Sequence, residues 1–164
     1  MSARTVRDLM ENAVSSSGGP SERLGKVCML LLAEMRSCQW AGYYFVDPAA
    51  PGELVLGPFS GEPTEHVRIR FGEGICGQAA ATLDTLVIDD VTAESNYLSC
   101  SPEVRSEIVV PVFSDGVLVG ELDLDSHRRA GFGPDERELV EWLGELTGPI
   151  VKEYVAELRA AGDE

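Results

Sequence analysis

The chain has 164 residues, of which 44% are hydrophobic and 25% are charged, proportions typical of one globular domain with a full apolar core. Its 28 acidic residues outnumber its 13 lysines and arginines, and the formal net charge of −15 argues against a surface for nucleic acid or an anionic membrane. No apolar run approaches the ~18 residues of a membrane span, and the N-terminus lacks a signal-peptide core, so we expect a cytoplasmic protein.

The first 20 residues predict a short helix followed by a linker, because apolar residues at helical spacing precede a Ser-Ser-Ser-Gly-Gly-Pro run at 15–20. The next helix carries one apolar stripe, with Ser21 as its expected N-cap and Cys28 as a core residue on the stripe. We therefore divide the chain into an N-terminal helix and linker at 1–20 and a single domain at 21–160.

The middle of the chain changes to the pattern of β-strands. The expected strands are 40–46, 53–59, 67–71, 86–88, 107–113 and 117–125. The first two form an antiparallel hairpin with a long loop, and the last two pair across Ser114-Asp115-Gly116, a strong hairpin signal.

Two further helices complete the pattern. The run 72–81 combines glycines for a tight turn with alanines for a closely packed helix, and backbone N–H groups there would be available to an anion. The last helix begins at Pro134, with acids in its first turn. The order of elements predicts an α+β domain with helices packed on an antiparallel sheet.

The four cysteines, Cys28, Cys38, Cys76 and Cys100, are not expected to form a disulfide framework in a cytoplasmic chain. None has Cys-x-x-Cys spacing and the chain has only two histidines, so we expect no metal site. Cys100 lies in a polar loop outside the apolar strands, where reactive groups are often placed, although an inert loop cysteine is the alternative.

The chain from about residue 38 to 153 resembles a GAF domain, and more narrowly the free methionine-R-sulfoxide reductase family. The matching pieces are Trp-Ala-Gly-Tyr-Tyr at 40–44, Leu-Val-Leu-Gly-Pro-Phe at 54–59, Gly-Glu-Gly-Ile-Cys-Gly at 72–77, Cys100 with Ser-Glu-Ile-Val-Val-Pro at 106–111, and Leu-Asp-Leu-Asp-Ser at 122–126. The resemblance implies a six-stranded antiparallel sheet and thiol-dependent reduction of free L-methionine-(R)-S-oxide. It implies no bound cofactor and an external thioredoxin and NADPH system as the reductant.

Sulfoxide reduction needs a thiolate that attacks sulfur, an acid that protonates the oxygen and a second thiol that resolves the sulfenic acid. Cys100 is the expected nucleophile, which is also the role that the resemblance assigns to it. Asp123 and Asp125 share one strand face, and Glu107 stands on the adjacent strand. Because neighbouring carboxylates repel, at least one should hold its proton near neutrality while the others bind the substrate ammonium. The alternative is a solvated sheet face.

Two features are expected to bind the rest of the substrate. Trp40 and Tyr44 lie four apart on one strand face and would form an apolar wall around the methyl-sulfur group, unless they are plain core residues. Gly74 and Ile75, in the turn at 72–77, would offer backbone donors to the substrate carboxylate.

The sequence departs from the family pattern at His66, where a cysteine with the resolving role is common, ten positions before Cys76. Cys76 is then the expected resolving thiol, with Cys38 or an external reductant as alternatives. The helix-start position of Cys76 is expected to lower its pKa. The loop at 94–99 also differs from the Gly-His-Ile-Ala that usually precedes the nucleophile. The resemblance therefore says less about substrate preference than about the reaction.

Two other functions stay open at this point. One is a GAF-type small-molecule sensor without turnover, and the other is a thiol redox sensor in which Cys76 and Cys100 oxidise without substrate. A chain of this length without an output domain favours the enzyme. The sequence leaves a homodimer open.

Overall fold

The computed structural model describes residues 3–98 and 101–162, and within these ranges the chain forms four α-helices and six β-strands. The helices are α1 (Ala3–Val14), α2 (Pro20–Glu34), α3 (Gly74–Thr82) and α4 (Pro134–Gly162). The strands are β1 (Trp40–Asp47), β2 (Ala50–Ser60), β3 (Arg68–Arg70), β4 (Leu86–Ile88), β5 (Ser106–Ser114) and β6 (Val117–Ser126). All strand pairs are antiparallel, in the order β3-β2-β1-β6-β5-β4, which confirms the predicted six-stranded α+β fold.

Helices α2 and α4 cover one face of the sheet, and α1 packs against both of them; together they form the larger hydrophobic core. Strand alternation places Tyr43 of β1, Ile108 of β5 and Leu122 of β6 on this face, and all three are fully buried. The Tyr43 hydroxyl donates a hydrogen bond of 3.0 Å to Oγ1 of Thr147 on α4, which satisfies its polar atom inside the core. Cys28 is fully buried in this core, as predicted.

The predicted N-terminal helix is confirmed as α1, and it packs into the same core. Val6, Met10 and Ala13 recur on one side of the helix and are buried. The division of the chain at residue 20 stays a prediction.

Helix α4 begins at Pro134, as predicted, and runs for 29 residues along the sheet. Asp135 and Glu136 lie in its first turn, where negative charge is favoured by the helix dipole. No helix of the described ranges is long and apolar enough to cross a membrane.

Two local predictions are wrong. Helix α2 has Gly19 as its N-cap rather than Ser21, because Pro20 occupies the first helical position, where its fixed φ and missing N–H are tolerated. The β1–β2 connection is a tight turn instead of a long loop. There the Asp47 carboxylate accepts a hydrogen bond of 2.9 Å from the Ala49 N–H, and β2 starts at Ala50.

The opposite face of the sheet is covered by the short helix α3 and the connections around it. Trp40 and Tyr44 of β1 pack there with Val109 of β5 and with Ile75 and Ala79 of α3. This smaller cluster encloses the acidic side chains that the same alternation places on the face.

Candidate active site

Four carboxylic acids lie on the sheet face covered by α3. Strand β6 contributes Glu121, Asp123 and Asp125 at alternate positions, and β5 contributes Glu107 opposite Asp125. Their exposed fractions are 0%, 1%, 1% and 5%, respectively. The solvated-face alternative is therefore excluded, and the shared face of Asp123 and Asp125 is confirmed.

Cys76 lies over these acids, as the third residue of α3. Its Sγ, a carboxylate oxygen of Glu107 and a carboxylate oxygen of Asp123 lie within 4.8 Å of one another. The neighbouring Gly77 lets α3 pack closely on the turn that precedes it, since a Cβ there would lie 2.5 Å from the carbonyl oxygen of Arg70. The thiol and two acids therefore come from three different elements, which local sequence patterns do not bring together.

Burial raises the pKa values of acids in this row. Burial and the carboxyl group of Asp123 raise the pKa of Glu121 well above its usual range. Burial also raises the pKa of Asp123, against a hydrogen bond with Glu107 that lowers it. The predicted proton-holding acid thus has two candidates, Glu121 and Asp123.

The pKa of the Cys76 thiol is also raised. Burial contributes most, followed by the charges of the nearby acids, Asp123 foremost. The expectation of a lowered pKa is wrong, because removal from water and the surrounding acids outweigh the effect of the first turn of α3. Cys76 is a protonated thiol at neutral pH.

Cys100, the predicted nucleophile, lies outside the described residues, so its role stays a prediction. The chain that leads to it is described as far as Leu98. Gly74 has φ +63°, and a Cβ there would lie 2.9 Å from Cγ of Leu98. Glycine therefore lets the segment before Cys100 pass directly over the first residue of α3.

Asn96 fastens this segment to the turn before α3. Its Oδ1 accepts a hydrogen bond of 2.9 Å from the N–H of Gly74, and its Nδ2 donates one of 2.8 Å to the carbonyl of Gly72. The Gly74 donor is thus taken by Asn96, which argues against its predicted contact with substrate while Asn96 stays in place. The N–H of Ile75, in the first turn of α3, has no partner within the helix.

A cavity of about 10 Å³ lies between the acids and this segment. Six of the nine predicted site residues line it: Tyr44, Gly74, Ile75, Cys76, Glu107 and Asp123. The volume suits about one water molecule. A larger open cleft of about 680 Å³ lies among the helices and contains none of the predicted residues.

Two other predicted residues, Trp40 and Asp125, face each other beside the cavity in the β1–β6 register. Trp40 stacks on Phe59 with ring centroids 5.8 Å apart and donates its indole N–H to the carbonyl of Glu62 at 2.9 Å. Trp40 is therefore anchored on the face that carries the acids, and its predicted contact with substrate stays a prediction.

Tyr44 is a wall of the cavity itself and is fully buried. Its hydroxyl donates a hydrogen bond of 2.8 Å to the carbonyl of His66, which also lines the cavity.

Glu121 is a site residue that was not among those predicted from the sequence. The signal was present, because Glu121 continues the alternation of Asp123 and Asp125 by one step towards the β5–β6 turn. Burial raises the pKa of Glu121 most, and a hydrogen bond with the Cys76 thiol opposes that rise.

The GAF domain family model matches residues 21–148. The free methionine-R-sulfoxide reductase of Saccharomyces cerevisiae is 39% identical over 108 residues, which are 65% of this chain and 59% of that protein. This chain therefore matches less than two thirds of the length of the yeast relative.

Solved structures extend the comparison. The free methionine-R-sulfoxide reductase from Neisseria meningitidis, in complex with its substrate, is 34% identical with a TM-score of 0.81, over 90% of this chain and 86% of that chain. The type II free methionine-R-sulfoxide reductase from Thermoplasma acidophilum is 34% identical with a TM-score of 0.76, over 89% and 96%. The chain thus belongs to the GAF domain family and, within it, to the free methionine-R-sulfoxide reductase family.

Proposed function

We propose that the protein reduces free L-methionine-(R)-S-oxide to L-methionine. The observation that carries this proposal is the buried group of Cys76, Glu107 and Asp123 beside the chain that leads to Cys100, in a member of this reductase family. The substrate has an ammonium, a carboxylate and a sulfoxide oxygen, and each finds a complementary group here.

The ammonium group binds to carboxylates of the sheet. A buried positive charge is tolerated only when it is paired, and Glu107 and Asp125 stand opposite each other across two strands. The substrate carboxylate accepts hydrogen bonds from the first turn of α3, where the N–H of Ile75 points out of the helix. Tyr44 and Leu98 supply apolar surface for the methyl-sulfur group.

The reaction oxidises Cys100 at the expense of the sulfoxide. The Cys100 thiolate attacks the substrate sulfur while a protonated acid, Asp123 or Glu121, donates to the oxygen, and the sulfur–oxygen bond breaks as the oxygen leaves as water. Water then attacks the Cys100 sulfur, the bond between the two sulfurs breaks, methionine leaves, and Cys100 becomes a sulfenic acid as a proton is released. The sulfur is thereby reduced by two electrons and Cys100 is oxidised by two.

Cys76 resolves the sulfenic acid. Its sulfur attacks Cys100, its proton passes to an acid of the cluster, and the oxygen leaves as water as a Cys76–Cys100 disulfide forms. An external dithiol of the thioredoxin type, in turn reduced by NADPH in the cytoplasm, restores both thiols. No bound cofactor takes part.

The experiment is NADPH oxidation coupled through thioredoxin and thioredoxin reductase, with free L-methionine-(R)-S-oxide as substrate and chromatography of the methionine formed. The S epimer and a blocked methionine sulfoxide serve as controls, because only the free R form satisfies all three contacts. Saturable binding of the free amino acid without turnover by the reduced, folded protein would instead assign a small-molecule sensor. Oxidation to the disulfide without any sulfoxide would assign a redox sensor.

A further inference from the structure

The Cys76 group has the composition of a zinc site. Cys76 Sγ and carboxylate oxygens of Glu107 and Asp123 all lie within 4.8 Å of one another. In tetrahedral zinc sites, bonds of about 2.3 Å to sulfur and 2.1 Å to oxygen place neighbouring ligand atoms about 3.4–3.6 Å apart. The observed separations therefore require a contraction of no more than about 1.4 Å.

Asp123 provides a second observation. This side chain is 1% exposed, and its Oδ1 has no hydrogen-bond partner among residues 3–98 and 101–162. Asp123 belongs to the group itself, since one of its carboxylate oxygens lies within 4.8 Å of the Cys76 Sγ. A buried carboxylate oxygen without a partner is costly, and a cation would supply one.

Charge and size also favour a small cation. Within the described residues, neither Glu121 nor Asp123 forms an ion pair with a lysine or arginine. The cavity of about 10 Å³ that Cys76 and Asp123 line holds one water-sized species and no amino acid. A thiolate among the ligands selects zinc over magnesium and calcium, which prefer oxygen alone.

We propose that the reduced protein binds one Zn²⁺ ion through Cys76, Glu107 and Asp123, with water in the fourth position. The Cys76 thiol loses its proton to solvent as the zinc–sulfur bond forms, and no electrons are transferred. A bound ion would occupy the cavity and the acids assigned above to the substrate. Zinc would then act as a competitive inhibitor, a consequence that rests on the proposed function, whereas the binding itself does not.

The experiment is a titration of reduced, metal-free protein with Zn²⁺ in competition with a chromophoric zinc chelator. We expect one zinc per chain. Loss of an outer-shell partner alone costs about 10–100-fold in affinity, so Cys76→Ser and Asp123→Asn should each weaken binding by more than about 100-fold. Cys28→Ala is the matched control, because it removes a buried thiol from the opposite face and should leave the affinity unchanged.

A spectroscopic readout identifies the sulfur ligand. Co²⁺ in place of zinc should produce a thiolate-to-cobalt charge-transfer band in the wild type that is absent from folded Cys76→Ser. Mg²⁺ and Ca²⁺ should not displace the cobalt. The inference is overturned if the wild type binds no zinc, or if Cys100→Ser abolishes binding while Cys76→Ser retains it.

The two proposals fail separately. A protein that reduces the sulfoxide but binds no zinc disproves the metal site and leaves the proposed function standing. A protein that binds zinc through Cys76 but does not reduce the sulfoxide disproves the proposed function and leaves the metal site standing.

Discussion

Glu107 and Asp125 face each other directly across the β5–β6 ladder, both buried beneath α3. Two carboxylates at directly opposed positions of an antiparallel pair would repel each other. The pairing therefore gives this face an acidic interior, the arrangement expected when a site must hold a positively charged ligand. The substrate ammonium and a metal cation are the two ligands argued above.

The predicted nucleophile is tested by Cys100→Ser. This change should abolish sulfoxide reduction, because a serine hydroxyl is too weak a nucleophile, while leaving the free energy of unfolding close to that of the wild type. Coupled NADPH oxidation and urea unfolding measure the two effects. Reduction at more than a small fraction of the wild-type rate would remove Cys100 from the mechanism.

The acids should act together in turnover. Glu107→Gln, Asp123→Asn and Asp125→Asn should each lower kcat/KM by ~10²–10⁴, the range for lost general-acid or positioning groups. Asp115→Asn is the control, because Asp115 lies in the exposed β5–β6 turn and pairs with Lys152 at 2.7 Å. Wild-type kinetics in all three site variants would favour the sensor.

The resolving role of Cys76 predicts a specific disulfide. One equivalent of sulfoxide should convert the reduced wild type to a Cys76–Cys100 disulfide, detected by peptide mapping. Cys76→Ser should retain a single turnover but lose thioredoxin-driven cycling, because the sulfenic acid then has no internal partner. A Cys38–Cys100 bridge, or a persistent sulfenic acid in the wild type, would contradict the assignment.

A pair of glycines tests the close packing of α3. Gly77→Ala should destabilise the protein by about 1–3 kcal/mol, because its Cβ would press on the carbonyl oxygen of Arg70 and displace the helix. Gly25→Ala, in α2 with nothing within 4 Å of its Cβ, should instead stabilise by about 0.5–1 kcal/mol. Urea unfolding measures both. If Gly77→Ala leaves the free energy of unfolding unchanged, α3 does not depend on the close contact between Gly77 and Arg70.

The sequence alone determined the elements that local patterns control. Alternation in 40–46, 107–113 and 117–125 predicted three central strands and the buried face shared by Asp123 and Asp125. Two predicted boundaries are wrong because one residue overrides the local pattern. Pro20 moves the start of α2 ahead of Ser21, and the hydrogen bond between Asp47 and Ala49 shortens the β1–β2 connection.

Tertiary structure alone decided the chemical state of the site. No spacing along the chain shows that Cys76 lies within 4.8 Å of acids from two different strands, because that proximity depends on how α3 packs on the sheet. The direction of its pKa shift follows from the same packing. A helix start lowers the pKa of a thiol in isolation, but burial among carboxylates raises it, since desolvation and like charge both disfavour the thiolate.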